Sequence, residues 1–580
     1  MAGTTLDIES IIHPDILASE IANKWAEWNS YRSKWLEEKK ELRNYLYATS
    51  TRTTSNALLP WSNTTTTPKL TQISDNLHAN YMATLFPQNK WMKWEALDKD
   101  SGTKLKRDII QAYMDNKLRQ SNFVSVASKL VQDYIIYGNC FATVEFEKSF
   151  RKKQNGEQVL DYVGPRLVRI SPYDICFNPT AASFDKTPKI IKSIMTLGEV
   201  KKFIDDSGNS AYQTIFDKMI YARNAVKGGD ADVSKGNAYT ADGFTDIKNY
   251  YDSNYVEILT FYGDIYDYSN SMLMRDRIIS VVDRAYILEN VEQPSWSGKA
   301  PIFHAGWRER PDNLYAMGPL DNLVGMQYRI DHLENLKADV FDQIAYPVMK
   351  IRGEVEDFDY APGSRIYMGE EGDVAYLVPD ATALNADFQI RALEDKMEEM
   401  AGAPRQAMGI RTPGEKTAFE VQQLQNSASR IFEHKAAHFE RSFLEPALNA
   451  MLELARTRLD MVDNIEIVDP NSGVTVFRKI RKEDISGNGK IVPMGARHFA
   501  EKARRVQSLT TLWQIKASDP SVAAHLSGKK FAQILAEELQ EPELFGENIA
   551  ITEQMETQMA AQDREADMME MMQIAAENGL

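Results

Sequence analysis

The stretch NLYAMGPLDNLVGMQYRIDHLENLKADVFDQIAYPVMKI, residues 313–351, decides the architecture of the chain. From about Leu320 to Ala345 its apolar residues recur every three or four positions, which is the spacing of one face of an α-helix. Pro347 cannot continue a helix. The stretch therefore predicts one long helix that stops abruptly at a proline.

The residues after this helix predict a helix–insert–helix arrangement. About forty residues with Pro-Gly and Glu-Gly pairs predict short strands and turns. A second helix is predicted at about 388–400, followed by the loop GAPRQAMGIRTPGEK (402–416) and a long helix from Thr417 to about Leu459. Pro446 predicts a kink in that last helix near residue 445.

The N-terminal half mixes helices with strands. Helical spacing predicts helices at 19–47, about 70–86 and 123–137, and a Ser/Thr-rich loop separates the first two. Strands are predicted at 141–147, 167–170, 255–262 and 278–288, with further strands around 464–480 and then helices to the C-terminus. Thr196 and Glu199 have the spacing of a capping box. The predicted fold class is α+β, mainly α, in two to four substructures because one core seldom serves 580 residues.

The composition is that of a folded protein, with 43% apolar and 26% charged residues. Two cysteines exclude a disulfide framework and favour a reducing compartment. We expect no membrane span, no signal peptide and no use of the Asn63-Thr64-Thr65 glycosylation pattern.

The net charge of −16 argues against a protein that grips nucleic acid over its whole surface. The acidity is concentrated in two blocks. Residues 353–373 hold seven acids against Arg365, and residues 541–580 hold ten acids against Arg564. Each block, taken by itself, is compatible with a simple solvated face.

The nonapeptide GIRTPGEKT (409–417) is one residue longer than a phosphate-binding loop, and it does not predict a nucleotide site. The preceding residues read as helix and loop where a buried strand is required, and Glu415 takes the place of the lysine. His434 and His438 have helical spacing, but Glu433 precedes the first histidine instead of following it as in a zinc protease. We therefore predict no catalytic residues, no metal and no cofactor, and expect that the chain is not an enzyme.

The loop 403–416 carries three cations against Glu415, and its glycines and prolines deny it regular structure. Such a loop suits brief, sequence-independent contact with a phosphate backbone. A hairpin loop whose charges are merely solvated remains the alternative, which chemistry alone slightly favours.

The order of elements resembles the portal proteins of tailed bacteriophages, and is most similar to those of short-tailed phages. The stretches that carry the resemblance are LTQISDNLHANYMATLFPQNKWMKWEA (70–96), GPRLVRISPYDICFNPTA (164–181), the opening stretch, and the segment 397–452 that begins MEEMAGAPRQAMGIRTPGEKT. The resemblance implies a ring, usually of twelve subunits, at one vertex of the capsid, through which double-stranded DNA enters and leaves. It also implies a portal-type architecture of wing (1–318), stem helix (319–345), clip (346–385), second stem helix (386–402), tunnel loop (403–416), wing (417–497) and crown (498–580).

In this family the ring has no ATPase activity. The terminase docks on the clip during packaging, and a tail adaptor replaces it later. The resemblance further implies contacts with major capsid and scaffold proteins, assembly in the host cytoplasm, a place in the virion at the portal vertex, and no membrane partner. Two alternatives stay open: a neck or tail adaptor ring, and a nucleic-acid-dependent enzyme.

Two sets of site residues follow from the resemblance and from charge. We expect non-specific DNA contact in the channel from the tunnel-loop residues Arg405, Gln406, Met408, Arg411 and Lys416. We expect partner docking at the acidic clip residues Glu354, Glu356, Asp357, Asp359, Glu370, Glu371 and Asp373. Twelve copies would carry a charge of about −192, so that the channel wall repels DNA and the sparse loop cations give only weak contacts.

Overall fold

A computed structural model of the chain describes residues 16–47, 63–87, 91–97, 104–152, 158–207, 210–228, 255–267, 271–292, 300–357, 365–377, 381–401, 431–459, 463–468 and 475–495. The predicted tunnel loop and crown, and the first part of the predicted long helix, lie outside these residues. No helix among them is long and apolar enough to span a lipid bilayer.

Helices and strands alternate along the described chain. The helices are α1 (Ile16–Tyr31), α2 (Ser33–Tyr47), α3 (Lys69–Leu85), α4 (Lys104–Gln120), α5 (Phe123–Ile136), α6 (Leu197–Ser207), α7 (Ser210–Gly228), α8 (Val324–Ala345), α9 (Asp387–Ala401), α10 (Glu445–Arg458) and α11 (Lys482–Ile485). Short 3₁₀ turns at Asp321–Leu323 and Ala381–Ala386 precede α8 and α9. This mixture of helix and sheet is an α+β fold, as predicted.

All strands whose pairing is described belong to antiparallel sheets. The strands are β1 (Met92–Ala96), β2 (Asn139–Lys152), β3 (Gln158–Ile170), β4 (Ile175–Phe177), β5 (Lys189–Thr196), β6 (Tyr255–Asp267), β7 (Met272–Val282), β8 (Tyr286–Glu292), β9 (Ile302–Gly306), β10 (Arg308–Arg310), β11 (Asn313–Met317), β12 (Val348–Arg352), β13 (Asp373–Leu377), β14 (Asp463–Val468), β15 (Thr475–Ile480) and β16 (Gly489–Pro493). The sheets have the orders β4-β5-β6-β7-β8, β3-β2-β9, β1-β16, β10-β11, β12-β13 and β14-β15.

The chain divides into two compact units. The first comprises residues 1–83, 122–145 and 166–453, and the second comprises 84–121, 146–165 and 454–580.

The five-stranded sheet of the first unit is covered on both faces. Leu259 and Phe261 of β6 pack in one apolar cluster with α1, while Val256 and Ile258 pack in another with α6 and α7. Because successive side chains of a strand point to opposite faces, a strand covered on both sides reads as a continuous apolar run. YVEILTFY follows this rule except at Glu257 and Thr260, and it was recognisable as a strand in the sequence. The capping box of α6 is also confirmed: Glu199 N donates to Thr196 Oγ1, and Thr196 N donates to Glu199 Oε2.

Two predictions are wrong because each named one continuous element where the structure has two. The single strand expected at 278–288 is a hairpin, because the chain turns at Asp283 and Arg284, which both have left-handed φ, 50° and 57°. The single helix expected at 19–47 is interrupted at Arg32, whose buried guanidinium donates to backbone carbonyls of residues 172–175.

The irregularity predicted near residue 445 takes the form of a π-helical turn. Residues 431–439 are α-helical, Glu440–Leu444 form the π turn, and α10 follows. Glu445 N donates to Glu440 O, five residues back. Pro446 has no N–H of its own to donate, and π turns are a common way for a helix to absorb such a defect.

The second unit contains a strand that the sequence analysis missed. Helices were expected after residue 480, but β16 pairs with β1 in register Trp94–Ile491. A Cβ on Gly489 would lie 2.5 Å from the Trp94 ring, so the close approach requires glycine. Lys117 and Asp463 form a further ion pair within this unit, with 2.5 Å between Nζ and Oδ2.

Candidate partner-docking site

The long helix α8 is anchored at its start. Lys39 forms a buried ion pair with Asp321 and donates to Ile136 O, while Asp321 Oδ2 accepts from Gly318 N at 2.8 Å. Burial lowers the pKa of Lys39 from its ordinary value, which the Asp321 carboxylate opposes. Gly318 itself lies against Gly138, the residue at which the chain leaves α5. The base of the helix is therefore held by charge and by close backbone packing.

Helix α8 ends where the sequence predicted, and a β-hairpin follows. With 22 residues it spans about 33 Å. Tyr346 N donates to Asp342 O at 2.8 Å, and Pro347 prevents a further turn. Strands β12 and β13 then pair from Val348–Leu377 to Arg352–Asp373, and α9 returns the chain after the 3₁₀ turn. The predicted helix–insert–helix arrangement is present.

The far end of the hairpin is a compact loop held by backbone bonds. Gly353 has a φ of +78°, and a Cβ there would lie 2.5 Å from Glu371 O. Gly369 N donates to Glu354 O, and Gly372 N donates to Gly369 O, which closes a turn over Glu370 and Glu371. The glycines thus place two glutamates side by side at the turn.

Six of the seven predicted clip acids lie together at this end of the hairpin, and Asp359 lies outside the described residues. Each of the six is exposed, and none of them forms a salt bridge with another described residue. They are Glu354, Glu356, Asp357, Glu370, Glu371 and Asp373. We call this group the acidic tip. Arg352 and Arg365 are the described cations nearest to it in sequence, so its net charge is negative.

The hairpin also exposes apolar side chains that the sequence analysis did not single out. Register places Met349, Ile351, Val374 and Tyr376 on one face of the two-stranded sheet, which we call the apolar face. Ile351 is 54% exposed and Tyr376 is 46% exposed. The signal was available in the sequence, because alternating apolar residues in a strand of an isolated hairpin predict a face that needs a cover.

The predicted DNA-contacting residues Arg405, Gln406, Met408, Arg411 and Lys416 all lie in 402–430, outside the described residues. Their placement stays a prediction. The structure brings α9 to Ala401, at the beginning of that segment.

No group of three or more His, Cys, Asp or Glu that could hold a metal ion occurs among the described residues. His434 is exposed, whereas Nε2 of His438 lies 3.3 Å from Glu309 Oε1, so the two histidines have different surroundings. Both cysteines are buried, and burial raises the pKa of the Cys176 thiol to about 11, which disfavours a reactive thiolate.

Residues 18–156 match the family model described as bacteriophage head to tail connecting protein. No protein in the curated set matched the chain. The matched range covers the N-terminal helices and β1–β2, and the hairpin described above lies outside it. The match supports a portal or connector family, which is structural and not enzymatic.

Proposed function

We propose that the chain is a portal protein of a tailed phage, closest to those of short-tailed phages, and that twelve copies form a ring around a DNA channel at one capsid vertex. The observation that carries the proposal is the match of residues 18–156 to the head-to-tail connector family. The long helix pair α8–α9 with a hairpin between its helices supports it, since that order of elements is the one by which the sequence resembles portals. In this role the ring acts as a conduit for packaging and ejection and is not an enzyme.

Ring formation would explain how the hairpin β12–β13 is stabilised. A two-stranded sheet alone is marginally stable in water, and Ile351 and Tyr376 on the apolar face of β12–β13 are 54% and 46% exposed. Neighbouring copies in a ring would cover this face. The domain assignment of wing, stem, clip, tunnel loop and crown is part of this proposal, with α8 and α9 as the stem and the hairpin as the clip.

Electron micrographs of the purified protein, with gel filtration, test the ring. We expect an annular particle with a central hole and an elution volume far below that of a 65.9 kDa monomer. A chain that stays monomeric in the presence of scaffold and capsid proteins would contradict the proposal.

The acidic tip is proposed to dock the terminase during packaging and the tail adaptor afterwards. Exposed carboxylates without salt bridges to described residues can attract a basic partner surface, and such attraction mainly sets the rate and orientation of association.

Changing Glu370 and Glu371 to lysine together is expected to weaken terminase docking by about tenfold or more at low salt, because four units of charge change at the turn in every subunit. The loss of affinity is measured as the binding of purified terminase to parent and variant rings at two salt concentrations. The matched control carries the same charge change elsewhere, at the exposed Asp312 and Glu433. Equal loss in both variants would mean that only the net charge of the ring matters.

The tunnel loop is proposed to contact DNA without holding it. Changing Arg405 and Arg411 to glutamate is expected to impair packaging or DNA retention and to leave ring assembly intact, because phosphate contacts are lost while the subunit contacts remain. Packaged DNA per particle and micrographs of the rings measure the two effects. Failure of these variants to form rings would show that the loop has a different role.

The remaining partners follow from the same proposal. The ring would assemble in the host cytoplasm with scaffold and major capsid proteins and remain at the portal vertex of the virion. Its DNA contacts would be independent of sequence.

A further inference from the structure

Helix α8 buries a row of polar side chains that the proposed function does not use. Gln327, Asp331 and Asn335 recur every four residues, so they lie along one side of the helix. Their exposed fractions are 1%, 0% and 0%. Burying such groups is costly unless each finds a hydrogen-bond partner. The row must therefore have a specific counterpart.

That counterpart is the main chain of an extended segment. Thr67 N donates to Asp331 Oδ1 at 3.0 Å. Thr65 N donates to Asn335 Oδ1 at 2.7 Å, and Asn335 Nδ2 donates back to Thr65 O at 3.0 Å. Asn63 N donates to Asp339 Oδ1 at 2.8 Å.

These bonds have the pattern of one edge of a β-ladder. They use backbone groups of alternate residues of the segment, and Asn63 adds a side-chain donor, its Nδ2, to Asp339 Oδ1. The helix supplies the opposite edge with side chains four residues apart. Recognition of this kind reads the backbone and is nearly blind to the side chains of the segment.

The segment is fastened at its other end to two further helices. Gln327 Oε1 accepts from Leu70 N at 3.2 Å, so it satisfies one of the free N–H groups at the start of α3. Lys69 Nζ lies 2.6 Å from Glu398 Oε1 of α9, and these two side chains are only 7% and 4% exposed. We call residues 63–70 the strap.

We propose that the strap is a latch that α8 recognises through its backbone, and that docking of the strap fastens the C-terminal half of α9 against α8. One direct ion pair between the two helices, Lys337 with Asp387, lies at the other end of α9, and its acid is 64% exposed. Exposed pairs of this kind contribute little. Separating the buried Lys69–Glu398 pair would leave an unpaired charge buried, which is costly, so this pair fastens α9 while the strap is in place.

The test measures hydrogen–deuterium exchange in the full-length protein, in peptides that cover the strap and residues 394–401. Thr65→Pro removes the N–H that Asn335 accepts. Thr66→Pro is the matched control, because Thr66 N donates to no described residue and proline suits an extended segment. We expect Thr65→Pro to speed exchange about tenfold or more in both peptides and Thr66→Pro to change neither.

Two further variants keep the test decisive. Asn335→Ala leaves the strap sequence intact and is expected to act like Thr65→Pro, so it carries the test if the proline variant fails to fold. Thr65→Val alters only the side chain and is expected to have no effect. Faster exchange in the strap with unchanged exchange at 394–401 would overturn the latch, and sensitivity to Thr65→Val would overturn backbone recognition. Neither outcome bears on whether the chain forms a ring.

Discussion

Replacing Arg284 with methionine is expected to lower the free energy of unfolding of the first unit by about 3–5 kcal/mol. Arg284 Nε and one terminal guanidinium nitrogen donate to the two carboxylate oxygens of Glu257 at 2.9 and 3.0 Å. Their side chains are 4% and 2% exposed. The methionine variant therefore leaves Glu257 buried without its guanidinium, and at pH 8, where the group can ionise, this costs far more than the intact pair contributes.

The loss should depend on pH in a defined direction. Burial raises the pKa of Glu257 from 4.5 to about 8. A carboxyl group with a raised pKa in the folded state favours folding at low pH, and stability falls as pH rises above the pKa of the unfolded chain. Without Arg284 the pKa rises further, so the deficit of the variant should be smaller at pH 5 than at pH 8.

Chemical denaturation of the full chain at both pH values measures this. Arg275→Met on β7, the strand before the turn that holds Arg284, is the control, since Arg275 is exposed, and it should stay within about 0.5 kcal/mol of the parent. The double variant with Glu257→Gln and Arg284→Met should recover part of the loss, because it removes the buried charge. A deficit that is the same at pH 5 and pH 8 would contradict the role given to Glu257.

The second large effect is expected at Gly138. This residue has a φ of +71°, and an added Cβ would lie 2.4 Å from the backbone of Gly318 and Met317. Left-handed conformation costs an alanine about 1–2 kcal/mol, and forced overlap with backbone adds about 1–3 kcal/mol. Gly138→Ala should therefore lower stability by about 3 kcal/mol or more and loosen the base of α8.

The control for Gly138→Ala is the same substitution inside α8. A Cβ on Gly325 meets nothing within 4 Å, and alanine is the better helix former by up to about 1 kcal/mol. Gly325→Ala should raise the unfolding midpoint while Gly138→Ala lowers it. Shifts of the same sign would mean that the contact between Gly138 and Gly318 does not govern stability.

Sequence patterns were sufficient where one local rule governed the structure. The end of α8 follows from Pro347, the strand β6 from its mainly apolar sequence, and the cap of α6 from Thr196 and Glu199. In each case the deciding residues are neighbours in the chain. The acidic tip was likewise visible as a run of charge, although only the turn at Gly369–Gly372 shows how its members meet.

Sequence patterns did not predict the structure where residues far apart in the chain determine it. The turn between β7 and β8 contains Asp and Arg in left-handed conformation, where Asn and Gly are usual, and partners from other elements hold both of them. No residue near Asp283 in the sequence indicates that Arg223 of α7 donates to its carboxylate. The strap was seen only as a polar loop, because its partners lie more than 250 residues further along the chain.

The spacing of the polar side chains on α8 limits how many residues of the strap can pair with this helix. Four residues of helix advance about 6.0 Å, whereas two residues of extended chain advance about 6.6 Å. Because these two advances differ, the offset between the helix side chains and the backbone groups of the strap grows with each step. After a few steps this offset exceeds what a hydrogen bond tolerates. At the last described pair Asn63 N still donates to Asp339 Oδ1, and Asn63 Nδ2 donates to both Asp339 and Asp342. Pairing of this kind between a helix and an extended segment is therefore limited to a few residues.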